Sequence, residues 1–319
     1  MTEVLKLTDL SKSFPVGRSL FGNPTGSVKA VHPLTLSVHR GETLGIVGES
    51  GCGKSTLARM LVGLLEPTTG TIEIEGAALD NADPAEFGRS IQYVFQDPIS
   101  SLNPRKTIRQ IMEAPLKWLY GMPAAERRKR IPEIFESVNL REEFLDRYPH
   151  EFSGGQAQRI GIARAIAANA RILILDEPVS ALDVSVQAQV LNLLADLRRE
   201  FDLTYLFISH DLAVVEAVSD RIVVLYFGSV VEIGPAEEVF AAPKHPYTKL
   251  LAESAPVVGR ALTAPEAVGI ELPDPLNPPK GCAFAARCPN ASDTCRTQVP
   301  RLAPIAERSE VACFHPLSS

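Results

Sequence analysis

The stretch that decides the fold is GESGCGKST, residues Gly48 to Thr56. It follows the short apolar run TLGIV (43–47), and the residues from Lys54 to Leu65 carry apolar side chains at helical spacing. The pattern G-x-x-x-x-G-K-S between a strand and a helix predicts a loop that binds the phosphates of a nucleoside triphosphate. A plain glycine-rich turn is the competing interpretation, and the strand and helix on either side argue against it.

Each residue type in this loop suits phosphate chemistry. The glycines let backbone N–H groups curl around an anion at a helix N-terminus. Lys54 is expected to reach the β and γ phosphates of ATP, and the Ser55 hydroxyl is expected to ligate Mg²⁺. Cys52 is expected to be a small side chain that packs beside the phosphates, without chemistry of its own. The predicted binding loop comprises Gly48, Glu49, Ser50, Gly51, Cys52, Gly53, Lys54, Ser55 and Thr56.

A second buried strand, ILILDE (172–177), ends in two carboxylates. Ligands of open α/β sheets bind at the carboxyl ends of the strands, so Asp176 is a candidate Mg²⁺ ligand. Glu177 follows at once and is the candidate general base that polarises the attacking water. His210, in ISHD after the next apolar run, is expected to contact the γ phosphate and align water with Glu177, although a lone histidine is more often structural.

Outward from these motifs, the sequence predicts a doubly wound α/β domain with added parts. The first residues predict a strand, a loop and a second strand in an antiparallel β subdomain, and residues 97–168 predict a helical insert. From about residue 241 the tail is rich in proline, with ten of the 25 prolines from Pro256 onward, and it predicts a small loop-rich extension. We therefore expect an ATPase domain at 1–240 and an extension at 241–319.

The composition and charge of the chain bear on whether it binds nucleic acid or spans a membrane. A net charge of −6 gives no general attraction to nucleic acid, whose binders usually carry a basic face. The basic run at 126–130 (ERRKR) is expected to be a solvated helix face. Hydrophobic residues make up 45% of the chain, yet none of its apolar runs reaches the roughly 18 residues that span a bilayer. The first ten residues lack the pattern of a signal peptide, so a cytoplasmic location is expected.

A third motif, FSGGQAQR (152–159), predicts a second helix N-terminus that faces phosphates. One chain does not need two such helix N-termini to bind one nucleotide. With this motif, the chain resembles the ABC-transporter ATPases over roughly residues 1–240. In that family the phosphate loop, a glutamine loop at Gln96, the SGGQ signature, ILILDE, an SALD loop ending at Asp183, and His210 occur in this order. Phe152 departs from the usual leucine, while the serine, glycines and glutamine are intact.

The resemblance implies that two such domains face head to tail, with each ATP held by the phosphate loop of one and the signature of the other. The signature residues would be Ser153, Gly154, Gly155 and Gln156. Phe14, in KSFPV, would stack on adenine, with a buried core phenylalanine as the alternative. Gln96 would sense Mg²⁺ and contact the membrane subunits through the segment that follows it.

Two further stretches, VFQDPISSLNPR (94–105) and HPYTKLLAESAP (245–256), resemble the oligopeptide and dipeptide importers. That resemblance implies a second, related but different ATPase chain, two transmembrane permease subunits, and indirectly an extracytoplasmic solute-binding protein. The chain would lie peripherally at the cytoplasmic face of the membrane. Importers of nickel, glutathione or opine-like solutes share this tail, and a soluble ABC ATPase of DNA repair or translation is a more distant alternative.

The tail also resembles that subfamily in GCAFAARCPNASDTC (281–295) with a later cysteine. The four cysteines have five, six and seventeen residues between them, unlike the tight pairs of zinc ribbons, and they are Cys282, Cys288, Cys295 and Cys313. Four thiolates can hold a 4Fe-4S cluster or zinc, and free thiols are the third alternative. The resemblance implies the cluster, in a structural role, with His315 as a bystander.

Overall fold

The computed structural model describes residues 2–17, 26–79, 83–254 and 272–318. The strands are β1 Glu3–Val16, β2 Gly26–His39, β3 Thr43–Val47, β4 Thr69–Ile74, β5 Ala77–Ala78, β6 Ile91–Val94, β7 Ile172–Asp176, β8 Thr204–Ile208, β9 Arg221–Tyr226, β10 Ser229–Pro235, β11 Ala303–Ala306 and β12 Ser309–Val311. The helices are α1 Lys54–Leu61, α2 Pro84–Ser90, α3 Ile108–Tyr120, α4 Ala124–Ser137, α5 Gly154–Ala167, α6 Val184–Phe201, α7 Leu212–Val218, α8 Ala236–Ala241, α9 Pro246–Ser254 and α10 Asp293–Thr297.

The chain divides into two compact units. The first comprises Met1–Leu5, Val38–Thr43 and Glu73–Ile208, and the second comprises Lys6–Ser37, Leu44–Ile72 and Ser209–Ser319. Strands β1, β2 and β4 each contribute residues to both units. Most of the predicted loop at 17–27 lies outside the described residues.

The first unit contains the parallel strands β6, β7 and β8. Register pairs such as Tyr93 with Ile174 and Asp176 with Ile208 place the carboxyl ends of these strands at one edge. Every residue of β7 and β8 is buried, as expected for parallel strands covered on both faces. Helix α6 buries Val190, Leu193, Leu194 and Leu197, at the spacing of one helical face.

The predicted helical insert forms α3, α4 and α5, which pack on one another. The Thr107–Gln110 capping box begins helix α3, and Gly121, at φ 60°, ends it. Two short 3₁₀ segments, Glu142–Asp146 and Pro149–Glu151, lead to α5. Local capping therefore defines both ends of α3.

The second unit contains β3 parallel to β9, followed by antiparallel pairing of β9 with β10 and of β10 with β12. In this unit the portions of β2, β1 and β4 are neighbours in that order. Helix α1 starts at the predicted residue but ends at Leu61, four residues early. Gly63 takes φ 68°, and the N–H groups of Leu64 and Leu65 both donate to the Arg59 carbonyl, which ends the helix.

The tail has more regular structure than its composition predicted. Helix α9 and the β11–β12 hairpin were missed, and β12 continues the sheet by pairing with β10, with Glu232 opposite Val311. The periodicity of a sequence cannot predict this pairing, because the two strands lie far apart along the chain. The predicted boundary near residue 240 remains a prediction.

Candidate nucleotide-binding site

The phosphate loop lies in the second unit, between the fully buried β3 and the first turn of α1. A Cβ on Gly48 would lie 2.2 Å from the Leu225 carbonyl oxygen, and one on Gly53 would lie 2.3 Å from the Ala30 carbonyl oxygen. These glycines are therefore required for the loop to sit this close to its neighbours. At Gly51, with φ 80°, a Cβ would meet nothing within 4 Å, so the backbone there is open to a ligand.

Lys54 points its ammonium into the loop. Its side chain is buried, and Nζ donates hydrogen bonds to the carbonyl oxygens of Gly48, at 2.7 Å, and Glu49, at 3.0 Å. The cation is thus held where the loop backbone surrounds it, as a phosphate-binding lysine requires. Ser55 and Thr56 occupy the first turn of α1 and are half-buried.

Cys52 packs beneath the loop, as expected. It is 2% exposed, and burial raises the pKa of its thiol. The Cys52 carbonyl accepts a hydrogen bond from the Gly228 N–H at 2.9 Å, so the turn after β9 supports the loop. A buried thiol fits a packing role.

Phe14 lies in the same unit on β1. Its side chain is 36% exposed, so the alternative of a buried core phenylalanine is wrong. The Lys12 ammonium lies 5.4 Å from the centre of the ring. An exposed aromatic face is what adenine stacking needs, and the stacking itself stays a prediction.

The backbone on both sides of His210 is held in place. Ser209 is buried and its Oγ accepts the Asp211 N–H at 3.0 Å, while Asp211 caps α7 by accepting the N–H groups of Ala213 and Val214. The His210 side chain is exposed at this junction. Its position on a fixed backbone suits a group that acts on a bound ligand.

The first unit holds the two carboxylates at the end of β7. Asp176 is 4% exposed, and the hydroxyl of Tyr93 on β6 donates a hydrogen bond to its Oδ2. Glu177 leaves the strand with φ 48°, its N–H donating to the Ile208 carbonyl at 2.8 Å. Gln96 Nε2 donates to Glu177 Oε2, also at 2.8 Å. The structure therefore brings Gln96 and Glu177 together, and it adds Tyr93, which the sequence arguments had missed.

The signature segment forms the N-terminus of α5 in this unit. Ser153 caps the helix by accepting the Gln156 N–H, and Gln156 Oε1 accepts the Ser153 N–H at 3.1 Å. A Cβ on Gly155 would lie 2.5 Å from Val186 Cγ1 on α6, so the signature packs tightly on that helix. The unusual Phe152 is 7% exposed, which keeps an apolar side chain in a buried position.

Asp183 is the N-cap of α6. Its Oδ1 accepts the Ser185 hydroxyl at 2.7 Å and the Val186 N–H at 2.9 Å. The hydrogen bond from Ser185 has the largest effect in lowering the pKa of the Asp183 carboxyl, and that from Val186 adds to it. The structure thus gives Asp183 a local capping role, and its predicted part in nucleotide binding remains untested.

The four cysteines of the tail line one small cavity, together with His245, Phe284 and His315. Burial raises the pKa of the Cys282 and Cys288 thiols, and raises that of Cys313 to about 11. Across the described ranges, no three His, Cys, Asp or Glu side chains are grouped so that they could hold one metal ion. The thiols therefore share a cavity without forming a metal-binding arrangement.

Among the helices of the described segments, none has the length and apolar character needed to cross a bilayer.

Two family models match the chain: ABC transporter at residues 31–180, and oligopeptide/dipeptide transporter, C-terminal region, at residues 231–295.

Curated relatives match over nearly the full length. The oligopeptide transport ATP-binding protein AppF of Bacillus subtilis is 49% identical, covering 97% of this chain and 96% of its own. The dipeptide transport ATP-binding protein DppF of Haemophilus influenzae is 47% identical, covering 98% and 97%. The oligopeptide transport ATP-binding protein OppF of Escherichia coli is 46% identical, covering 94% and 92%.

Solved structures with the same fold include the ATP-binding cassette MJ0796, as a dimer bound to ADP and Pi. It has a TM-score of 0.64 and 32% identity, and it covers 73% of this chain and 98% of its own. CbiO1 of Clostridium perfringens, part of the transporter complex CbiONQ, has a TM-score of 0.64 and 28% identity, covering 76% and 92%. These matches confirm the predicted ABC-type α/β fold. The chain belongs to the family of ATP-binding subunits of oligopeptide and dipeptide ABC transporters.

Proposed function

We propose that this chain binds and hydrolyses ATP with Mg²⁺ and thereby energises import of oligopeptides or dipeptides. The observation that carries the proposal is the phosphate loop, whose backbone encloses the Lys54 ammonium and in which Gly48 and Gly53 have no room for a side chain. The relatives named for peptide transport support the cargo class, because the similarity includes the tail as well as the ATPase motifs.

In this proposal each site residue has one task. The loop N–H groups and Lys54 bind the β and γ phosphates, and Phe14 stacks on the adenine. Ser55, Gln96 and Asp176 supply hard oxygen ligands of the kind Mg²⁺ prefers, and the ion would neutralise charge on the phosphates. Glu177 takes the proton from the attacking water, and His210 holds the γ phosphate and the water in line.

We infer that the signature acts on a second subunit's nucleotide. Ser153, Gly154, Gly155 and Gln156 form a helix N-terminus, which favours anions, and Asp183 follows in the neighbouring loop. The dimeric ABC cassette among the solved structures supports a pair of ATPase subunits. The partner is proposed to be a related but different chain, with ATP-driven closure of the pair moving two transmembrane permease subunits at the cytoplasmic face of the membrane.

An extracytoplasmic solute-binding protein would deliver the peptide, and nucleic acid has no part in the proposal. Nickel, glutathione or opine-like solutes remain the alternative cargo, because the cargo contacts other subunits.

In the tail, we propose a 4Fe-4S cluster held by the four cysteines, with zinc and free thiols as the alternatives. Its support is the shared cavity, and it requires the thiol side chains to rearrange.

The hydrolysis proposal is tested by Glu177→Gln. This variant should keep ATP affinity, form an ATP-dependent dimer, and lose turnover by about 100-fold or more, as expected for loss of a general base. Glu216→Gln removes an exposed carboxylate on α7 and is the matched control. Turnover within twofold of the wild type in Glu177→Gln would contradict the assignment.

The cargo is tested in cells that depend on this chain for uptake. Replacing it with the Glu177→Gln variant should abolish uptake of a labelled tripeptide and leave nickel uptake unchanged. The reverse pattern would assign the chain to a nickel importer. Uptake of both solutes at wild-type rates would contradict a transport role for these two classes.

A further inference from the structure

The C-terminal extension contacts the phosphate loop through Glu49. Arg287 donates from Nη1 and Nη2 to the two carboxylate oxygens of Glu49, each at 2.9 Å. The two residues are 238 positions apart in sequence. The Arg287 side chain is only 11% exposed and that of Glu49 is 27% exposed, so the pair is largely shielded from water. A two-pronged pair of this kind fixes both the distance and the orientation of the carboxylate.

Tyr247 of α9 makes a second contact with the same loop residue. The Glu49 backbone N–H donates to the Tyr247 hydroxyl oxygen at 2.9 Å, and Tyr247 is completely buried. The ring is held by Tyr226 and Phe284, whose ring centres lie 4.5 and 5.5 Å away. The hydroxyl is therefore a rigidly placed acceptor.

The start of α9 is itself anchored. His245 Nδ1 accepts the Tyr247 N–H at 3.0 Å, and the buried Glu232 accepts the N–H groups of Lys244 and His245, each at 2.8 Å. The Arg287 guanidinium lies 5.9 Å from the ring centre of Tyr226 and 5.7 Å from that of Phe284. Both contacts to the loop therefore come from one packed aromatic cluster.

All three polar groups of Glu49 are thus engaged. Arg287 binds its carboxylate, Tyr247 accepts its N–H, and its carbonyl accepts a hydrogen bond from Lys54. A loop that must direct its N–H groups at an anion binds more tightly when that conformation is already fixed. Arg287 also neutralises a carboxylate that would otherwise repel phosphate groups nearby.

We infer that Arg287 and Tyr247 are positioning residues for the phosphate loop, through which the C-terminal extension sets the affinity for ATP. The inference rests on the proposed function, since it needs ATP to bind this loop. It gives the extension a task that differs from holding a metal. The inference also predicts that removing the charge of Glu49 restores the KM that is raised by loss of Arg287. Loss of packing alone would not give this result.

The experiment measures kcat and KM for ATP on the full chain in its transporter complex. Arg287→Met should raise KM about 10-fold with kcat within about twofold, because it leaves Glu49 unpaired beside the phosphates. Adding Glu49→Gln should bring KM back to within about threefold of the wild type, since the uncompensated charge is then gone. Arg301→Met, at an exposed arginine of the same extension, should leave KM unchanged.

Tyr247→Phe removes the acceptor of the Glu49 N–H and should raise KM about threefold, as expected for one hydrogen bond. Tyr205→Phe is its control, because the Tyr205 hydroxyl is also buried but donates to the Leu194 carbonyl on α6. If Arg287→Met fails to fold, Arg287→Lys replaces it, and its single-pronged contact should raise KM by an intermediate factor.

A wild-type KM in Arg287→Met or Arg287→Lys would overturn the inference. So would an equal rise in KM for Arg287→Met with and without Glu49→Gln, because that pattern belongs to a structural defect. If the wild-type complex hydrolyses no ATP, or if Lys54→Ala has no effect on it, the proposed function fails instead. The two failures are therefore distinguishable.

Discussion

Gln96 donates a hydrogen bond from Nε2 to Oε2 of Glu177 across 2.8 Å. The two residues follow the parallel strands β6 and β7, which are paired up to Val94 and Leu175, so their side chains extend from the same edge. The sequence had predicted that Gln96 senses Mg²⁺ and contacts the membrane subunits through the segment that follows it. This hydrogen bond holds the glutamine loop against the candidate general base, and from it we predict that Gln96 also orients Glu177.

Gln96→Ala should therefore lower kcat for ATP by about 5- to 10-fold, which corresponds to the roughly 1 kcal/mol of a net hydrogen bond. Gln96→Glu should lower it further, because it places a second carboxylate against Glu177. Gln92→Ala is the control, since Gln92 lies on β6, the strand that Gln96 follows, and donates to the Gly88 carbonyl. Steady-state phosphate release measures all three, and equal rates for Gln96→Ala and Gln92→Ala would refute the role.

Ser153 has a capping role that can be separated from its proposed role at the nucleotide. Ser153→Ala should lower the free energy of unfolding by about 1 kcal/mol, the usual cost of losing an N-cap. Ser153→Asp should retain the cap but repel the phosphates of the partner's ATP. It should therefore abolish the ATP-dependent dimer that the Glu177→Gln chain forms with its partner subunit. Urea unfolding and size-exclusion chromatography measure the two effects.

Helix α3 provides the matched control, because Thr107 and Gln110 form the same capping box. Thr107→Ala should lose about 1 kcal/mol of stability and still form the ATP-dependent dimer. A Ser153→Asp chain that dimerises as well as Thr107→Ala would show that the signature does not contact nucleotide.

Much of the fold was predictable because local rules determine it. Apolar runs mark the strands that end at Asp176 and Ile208, and glycines mark the phosphate loop. Caps mark helix ends, as the capping of α3 by Thr107 illustrates. The early end of α1 was missed because its cause is the left-handed Gly63, which a helical pattern through Leu65 conceals.

The contacts that support the site were not predictable in this way. Glu49 pairs with residues 198 and 238 positions away, and Tyr93 reaches Asp176 across 83 positions. Such contacts depend on tertiary packing, and a single sequence carries no periodic signal for them. The β11–β12 hairpin was missed for the same reason, since its partner β10 lies some 80 residues earlier.

The proposed 4Fe-4S cluster predicts that the protein is coloured and contains iron and sulfide. We expect anaerobically purified protein to contain about four irons and four sulfides per chain and to absorb visible light, with both lost in Cys288→Ser. Cys52→Ser should keep the metal, because Cys52 does not line the cavity. About one zinc per chain would favour the zinc alternative, and metal-free protein would favour free thiols.

Glu232 predicts a pH dependence of stability. This side chain is 3% exposed, and burial raises the pKa of its carboxyl above the ordinary value of 4.5. The folded state therefore binds a proton more readily than the unfolded state does. The contribution is complete below about pH 4.5 and is lost as pH rises through the folded pKa, with a slope of at most about 1.4 kcal/mol per pH unit.

Glu232→Gln cannot lose a proton, so the free energy of unfolding of the wild type, relative to that of this variant, should fall as pH rises from about 4.5. The neighbours Lys244 and His245 are present in both proteins, and subtraction removes their titration to first order. Glu237→Gln, at an exposed carboxylate on α8, should show no comparable trend. Urea unfolding between pH 4.5 and 7.5 measures the difference. A constant or rising difference would mean that the buried carboxylate is stabilised by the N–H groups of Lys244 and His245 more than it is destabilised by burial.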